Sequence, residues 1–377
     1  MRIGVPKETV EGERRVALVP EVARKLTGSG LDVVVERGAG AEAMIPDVQF
    51  EEAGATLTDD AAAVWQSDVV VKVAPPSAEE IVHLGGDSVL IGFLQPLTNG
   101  EGVRALAASG ATAFALEAVP RISRAQSMDA LSSQSNIAGY RAALMGAQEM
   151  GRFYPMLMTA AGTIRPATVL VLGAGVAGLQ AIATARRLGA VVQGFDVRAA
   201  VKEQVESLGA TFLEFDLGGD LEGEGGYAKE LTAEQQARQQ ELMAEAIGKV
   251  DVVITTALVP GRRAPILVTE DAVKRMKPGS VVIDLAGEAG GNCELTEPGH
   301  TVVRHDVKIV APLNVPSTMA EHASQLYARN ILALLELMVK EGALALDFDD
   351  EVIAGACVTR GGEIVHEGAK AAAGQPA

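Results

Sequence analysis

The chain has 377 residues, 48% of them apolar and 21% charged. That length predicts two or three domains and a core needing neither disulfide nor metal. Lysine and arginine number 32 against 49 acidic residues, a net charge of −17. Such a chain repels phosphate backbones, which excludes a nucleic-acid partner. Its two cysteines, Cys293 and Cys357, lie far apart, make no metal spacing and suit a reducing compartment. The start MRIGVPKE has no signal-peptide core, and no apolar run reaches the ~18 residues of a membrane span. The expectation is a soluble, intracellular α/β protein.

Short β-branched runs alternate with helical stretches from the first residue. Residues 2–5, 32–36, 68–73, 88–93 and 112–115 read as buried parallel strands. Residues 19–28, 47–53 and 101–110 read as the helices between them. The stretch 120–135 is polar and irregular, and 136–153 is a long Ala-rich helix. A second βα series follows at 167–172, 191–196, 211–215, 250–255 and 280–285, with a last run at 308–310. Residues 318–342 form another long helix, and 347–366 a short strand pair. The fold class is α/β: two doubly wound, Rossmann-like domains with mainly parallel sheets, joined by two long helices. The expected boundaries are 1–135 with 318–377 for the first domain and 136–317 for the inserted second.

The strongest chemical signal is the run from Val169 to Gly178, in which Gly173, Gly175 and Gly178 fit GxGxxG between an apolar strand and a helix. Gly173 permits the tight turn, Gly175 admits a pyrophosphate and Gly178 lets helix and strand pack closely. Ala174, Val176 and Ala177 complete the turn, where the helix N-terminus offers unpaired N–H groups to phosphate. Asp196, at the end of the next strand, is placed for the adenosine ribose diol, with Val197 and Arg198 beside it. An acid there favours NAD over NADP, and Arg198 reads as solvated. Thr256, Ala257 and Leu258 follow a later strand and Glu288 the next, where ligands bind such sheets. No metal site is expected.

Two further stretches carry a resemblance. Arg2 to Glu8 and Glu13 to Pro20 resemble the opening of the alanine dehydrogenase and transhydrogenase superfamily. Pro120 to Asn136, with Arg121, Gln126 and Asp129, resembles the loop of the NAD(H)-binding component of proton-translocating nicotinamide nucleotide transhydrogenase. The tail around Asp349 and Gly361 is similar to that component's end. The resemblance covers essentially the whole chain.

This resemblance implies that Arg121, Gln126 and Asp129, with Ser132, hold the dihydronicotinamide and its ribose as catalytic and cofactor-binding residues. Asp129 is then expected to orient Arg121 through a charge-assisted bond. Residues 215–231, a Gly-rich acidic loop by composition, match a lid closing over nucleotide with Tyr227. The implied cofactor is NAD(H), with NADP(H) on a partner. The implied partners are an NADP-binding beta subunit, a membrane-spanning alpha-2 type subunit and a second copy of this chain. The implied location is the cytoplasmic face of the inner membrane. The implied reaction is direct hydride transfer coupled to proton translocation.

The sibling alternative is an alanine dehydrogenase, since Arg15 and Lys72 match its substrate-binding positions. Those enzymes carry a histidine where this chain has Gln95, and an aspartate near Glu288, so reductive amination is expected to be disabled. His322 is expected to be a packing residue on its helix. A non-catalytic NAD-sensing module is the third reading.

Overall fold

The computed structural model describes residues 1–215 and 233–374. Two compact units are present, Met1–Gln134 with Pro316–Ala377, and Ser135–Val315. In chain order, the first unit supplies β1 (Arg2–Val5), β2 (Asp32–Glu36), β3 (Thr56–Thr58), β4 (Val69–Val71), β5 (Val89–Gly92) and β6 (Thr112–Ala115). All six run parallel in the order β3-β2-β1-β4-β5-β6. Every residue of β4 and β5 is buried, as expected for central parallel strands with both faces covered.

The second unit opens with a small antiparallel hairpin, β7 (Leu157–Thr159) and β8 (Gly162–Ile164). Its main sheet is built from β9 (Thr168–Leu172), β10 (Val191–Phe195), β11 (Thr211–Phe212), β12 (Val252–Thr255), β13 (Val281–Asp284), β14 (Thr301–Arg304) and β15 (Val307–Val310). The order is β11-β10-β9-β12-β13-β15-β14, with β14 alone antiparallel. In each unit the first strand of the main sheet, β1 or β9, lies between strands that wind outward on either side. That is the doubly wound arrangement, whose switch point is where ligands enter from the carboxyl ends of the strands.

The chain then returns to the first unit. Helix Ala320–Met338 buries Ala323, Tyr327, Ile331, Leu334, Leu335 and Met338, an apolar stripe at helical spacing. After the hairpin β16 (Val339–Lys340) and β17 (Ala343–Leu344), β18 (Cys357–Arg360) pairs antiparallel with β6, and β19 (Glu363–Ile364) pairs with β18. The terminal segment therefore extends the first sheet from six strands to eight.

Three elements depart from the sequence expectation. The long helix begins at Ala130 rather than at 136, because the Asp129 carboxylate accepts from Ser132 N–H at 2.8 Å and so caps its first turn. Strand β14 was not expected. Its turn to β15 carries positive φ at both His305 and Asp306, the type I′ geometry usually signalled by Asn-Gly. His322 is exposed on its helix rather than packed into the core.

Tyr154 packs in the core of the second unit with its hydroxyl buried and without a hydrogen-bond partner among the described residues. Burial pushes its pKa well up. An unpaired buried hydroxyl costs ~1–3 kcal/mol. Tyr154→Phe is therefore expected to leave stability unchanged or raise it by about 1 kcal/mol in denaturant unfolding. A clear loss of stability would contradict the unpaired hydroxyl.

Candidate functional site: the carboxyl edge of the second sheet

Strand β9 ends in the glycine turn. Gly173 has φ +97°, a left-handed conformation that disfavours any Cβ. A Cβ on Gly178 would lie 1.8 Å from the Gly173 carbonyl oxygen, so helix Val176–Arg187 can approach the strand only with glycine there. At Gly175 a Cβ would meet open space, so the turn faces outward at that point. No side chain caps this helix. The N–H groups of Val176 and Ala177 at its start therefore have the character of an anion cradle. These features fit the pyrophosphate of a dinucleotide.

Asp196 follows β10 and its carboxylate is almost wholly buried. Oδ2 accepts from Ala174 N–H at 2.7 Å and from Arg198 Nη2 at 2.9 Å. Oδ1 accepts from Arg198 N–H and Nε, each at 2.9 Å. Burial raises the Asp196 pKa, but the bonds from Arg198 and Ala174 prevail and hold it below the usual aspartate value. Arg198 is thus the partner of Asp196 rather than a solvated cation, which corrects the sequence expectation. The pair neutralises part of the charge that would repel a 2′-phosphate. Val197 beside it is exposed.

Across the switch point, Thr256 N–H donates to the Leu172 carbonyl at 2.9 Å, and its Oγ1 donates to the Gly173 carbonyl at 3.1 Å. Ala257 and Leu258 continue the loop, Leu258 being exposed. Two buried polar residues missed as site residues organise this edge. Asp284, fully buried, accepts from Thr255 Oγ1 at 2.9 Å, Ala286 N–H at 3.0 Å and Cys293 N–H at 3.0 Å. Asn292, equally buried, bonds the backbone of the Thr256 loop. Their signal was a polar residue at a strand end and an Asn after two glycines. Glu288 is exposed and accepts from Asn314 N–H at 2.7 Å.

The other expected residues lie in the first unit. Ser123–Met128 forms a 3₁₀ turn, held by Asn330 Nδ2 donating to the Ser127 carbonyl at 2.8 Å and by Arg124 paired with Asp350 at 2.8 Å. Arg121 and Gln126 are exposed. Asp129 bonds Ser132 N–H and Oγ, the latter at 2.6 Å, so it serves as a helix cap and does not orient Arg121. The lid segment with Tyr227 lies outside the described residues.

At the carboxyl edge of the first sheet, Arg15 and Lys72 are buried and paired within the chain. Arg15 Nε and Nη2 meet the Glu13 carboxylate at 2.8 and 2.6 Å, and Nη1 donates to Gln134 Oε1 at 2.9 Å. Lys72 Nζ donates to Glu8 at 2.6 Å. Gln95 ends this edge at φ +53°, and its N–H and that of Leu94 donate to Glu117 Oε1. The other oxygen of Glu117 is sealed from solvent without a partner. All five histidines are described and none enters these contacts.

A doubly wound sheet with a glycine-cradled, uncapped helix at its switch point defines a dinucleotide-binding protein of the Rossmann class. The chain belongs to the alanine dehydrogenase/PNT family: the N-terminal domain of that family matches residues 4–138 and the C-terminal domain residues 142–367. It is 54% identical over 376 residues to the first of the separate chains that make up the NAD(P) transhydrogenase alpha subunit of Rhodospirillum rubrum, covering 97% of this chain and 98% of that protein. The alanine dehydrogenase of Bacillus subtilis is 31% identical, covering 97% of this chain and 93% of the relative. A crystal structure of transhydrogenase from Sinorhizobium meliloti superposes with a TM-score of 0.86 at 47% identity, covering 97% of this chain and 99% of that one.

Asp196→Ala leaves the Arg198 guanidinium without its carboxylate. NADH binding is expected to weaken about tenfold, the loss of one charged hydrogen-bonding partner, while NADPH binding strengthens. Titration of both nucleotides by fluorescence measures this, and unchanged selectivity would remove Asp196 from the ribose site.

Burial pushes Glu117 up to about 7 against opposing bonds from its own backbone and those of Gln95 and Leu94. A carboxyl that binds its proton more tightly folded than unfolded loses stability as pH rises from its unfolded value toward 7. Glu117→Gln retains an acceptor for both N–H groups without the charge. It is expected to flatten that fall in unfolding free energy between about pH 4.5 and 7, and an unaltered slope would assign the titration elsewhere.

Proposed function

We propose that this chain is the NAD(H)-binding component of a proton-translocating transhydrogenase. Its reaction is direct hydride transfer between NADH and NADP⁺ held by a partner subunit. The single observation that carries this reading is the similarity to transhydrogenase alpha subunits along nearly the whole chain, well above that to alanine dehydrogenase. When bound, NADH supplies a hydride from C4 of its dihydronicotinamide, giving NAD⁺ and, on the partner, NADPH.

The protein's part is binding and orientation. The Gly173–Gly178 turn and the uncapped helix hold the pyrophosphate, and the Asp196–Arg198 pair takes the adenosine ribose. Arg121, Gln126 and Ser132 take the roles their family loop implies toward the nicotinamide half. Asp129 acts there by capping the helix that begins beside it. The Tyr227 segment takes the role of lid, excluding water from the transfer. No proton changes hands at the ring, so no general acid or base is needed. Orientation of two reactants can supply ~7–11 kcal/mol of the barrier.

Among the described residues no helix is long and apolar enough to cross a membrane. In this reading proton movement falls to membrane-spanning partner subunits, which also hold this chain at the cytoplasmic face, where it acts as a homodimer. Against the alanine dehydrogenase reading stands Gln95, an amide at the position of that enzyme's proton-transfer histidine.

The test is NADPH-driven reduction of an NAD analogue by the purified chain, with and without a purified NADP-binding subunit. Turnover only in the mixture is expected, whereas turnover of pyruvate and ammonium by the chain alone would overturn the reading. In the mixture, Gln126→Asn is expected to slow hydride transfer by about tenfold or more while changing NADH affinity by less than about twofold, since orientation rather than binding is lost. Equal losses in both would deny the loop its orienting role.

A further inference from the structure

Asn292 stands out among the residues the proposed mechanism leaves unused. Its side chain is fully buried at the carboxyl edge of the second sheet, and it bonds the backbone at both ends of one loop. Oδ1 accepts from Ala257 N–H at 3.0 Å. Nδ2 donates to the Ala257 carbonyl at 2.9 Å and to the Pro265 carbonyl at 2.8 Å. The Asn292 carbonyl accepts from Leu267 and Val268 N–H at 2.8 and 3.0 Å. One residue thus clasps both ends of the segment 257–265, whose middle exposes Leu258 and Val259.

The clasp reaches the glycine turn. The Ala257 peptide follows directly on Thr256, whose Oγ1 holds the Gly173 carbonyl. Asp284, bonded to Cys293 N–H, fixes Asn292 from its other side. Sheet order then decides which part of a nucleotide feels the loop. Asp196 lies on the β10 side of β9, and Thr256 and Asn292 lie on the β12 and β13 side. A dinucleotide with its pyrophosphate on the turn places its adenosine half toward β10 and its second nucleoside toward β12.

We propose that Asn292 is a positioning residue for the nicotinamide half of NAD(H), acting by clasping the 257–265 loop. The proposal rests on the nucleotide site proposed above. Asn292 does not touch the nucleotide; it sets the loop that does.

Binding of ADP and of NADH to the purified full chain, by calorimetry, separates the cases. With Asn292→Ser, ADP affinity is expected to stay within about twofold of wild type while NADH affinity falls about tenfold, the loss of clasping bonds to one side of the turn. Equal loss of both ligands would mean general collapse of the edge, and no loss would mean that the clasp is irrelevant; either overturns the proposal. If wild type bound neither ligand, the nucleotide site itself would fall. Hydrogen exchange of the unsubstituted chain gives a second test that needs no variant. The Ala257 amide is expected to exchange far more slowly than those of Leu258 and Val259, and equally fast exchange would overturn the clasp.

Discussion

The approach of Gly178 to the Gly173 carbonyl is the constraint on which the second unit's chemistry depends. With no side chain at either position, the helix after β9 starts directly against the strand end, and its first amides face outward. Everything else at this edge is arranged around that turn. Thr256 grips it from the β12 side, and the Asp196 carboxylate takes the Ala174 amide from the β10 side. A turn fixed on both flanks presents its donors to phosphate without having to reorganise, which is how a backbone site gains affinity.

The two sheets handle charge at their carboxyl edges in opposite ways. In the first, Arg15 and Lys72 are buried against Glu13 and Glu8, so each charge is compensated inside the fold. Burial nonetheless outweighs Lys72 and keeps Glu8 above the usual carboxylate pKa. In the second, the donors at the turn are backbone amides without side-chain caps. A buried, paired cluster resists change, whereas uncapped amides invite an anion.

Much of this was legible because the signals were local. Gly173, Gly175 and Gly178 announce their turn by spacing, and the all-apolar strands announce a covered parallel sheet. What was missed depends on partners distant in sequence or on backbone torsions. Arg198 looked solvated because its bond to Asp196 is set by a side-chain rotamer. Asp129 looked like an orienting group for Arg121, but the amide of Ser132, in the first turn of the helix that starts beside it, claimed its carboxylate. Asn292 had no signal of its own, since its partners, Ala257 and Pro265, lie some thirty residues earlier. The β14–β15 turn hid because His305 and Asp306 adopt torsions that Asn and Gly more often supply.

The return of the chain to the first sheet sets an order of events during synthesis. Residues 135–315 are contiguous, so the second unit has all its strands once that stretch has left the ribosome. The first sheet must wait for β18 and β19, which pair with a strand laid down more than two hundred residues earlier. Until then β6 is an edge strand with unpaired backbone groups, the feature most prone to pairing with the wrong chain. The buried cluster at the first sheet's carboxyl edge also needs Ser317 and Tyr327 from the returning segment. A nascent chain thus acquires its dinucleotide fold before its first unit closes.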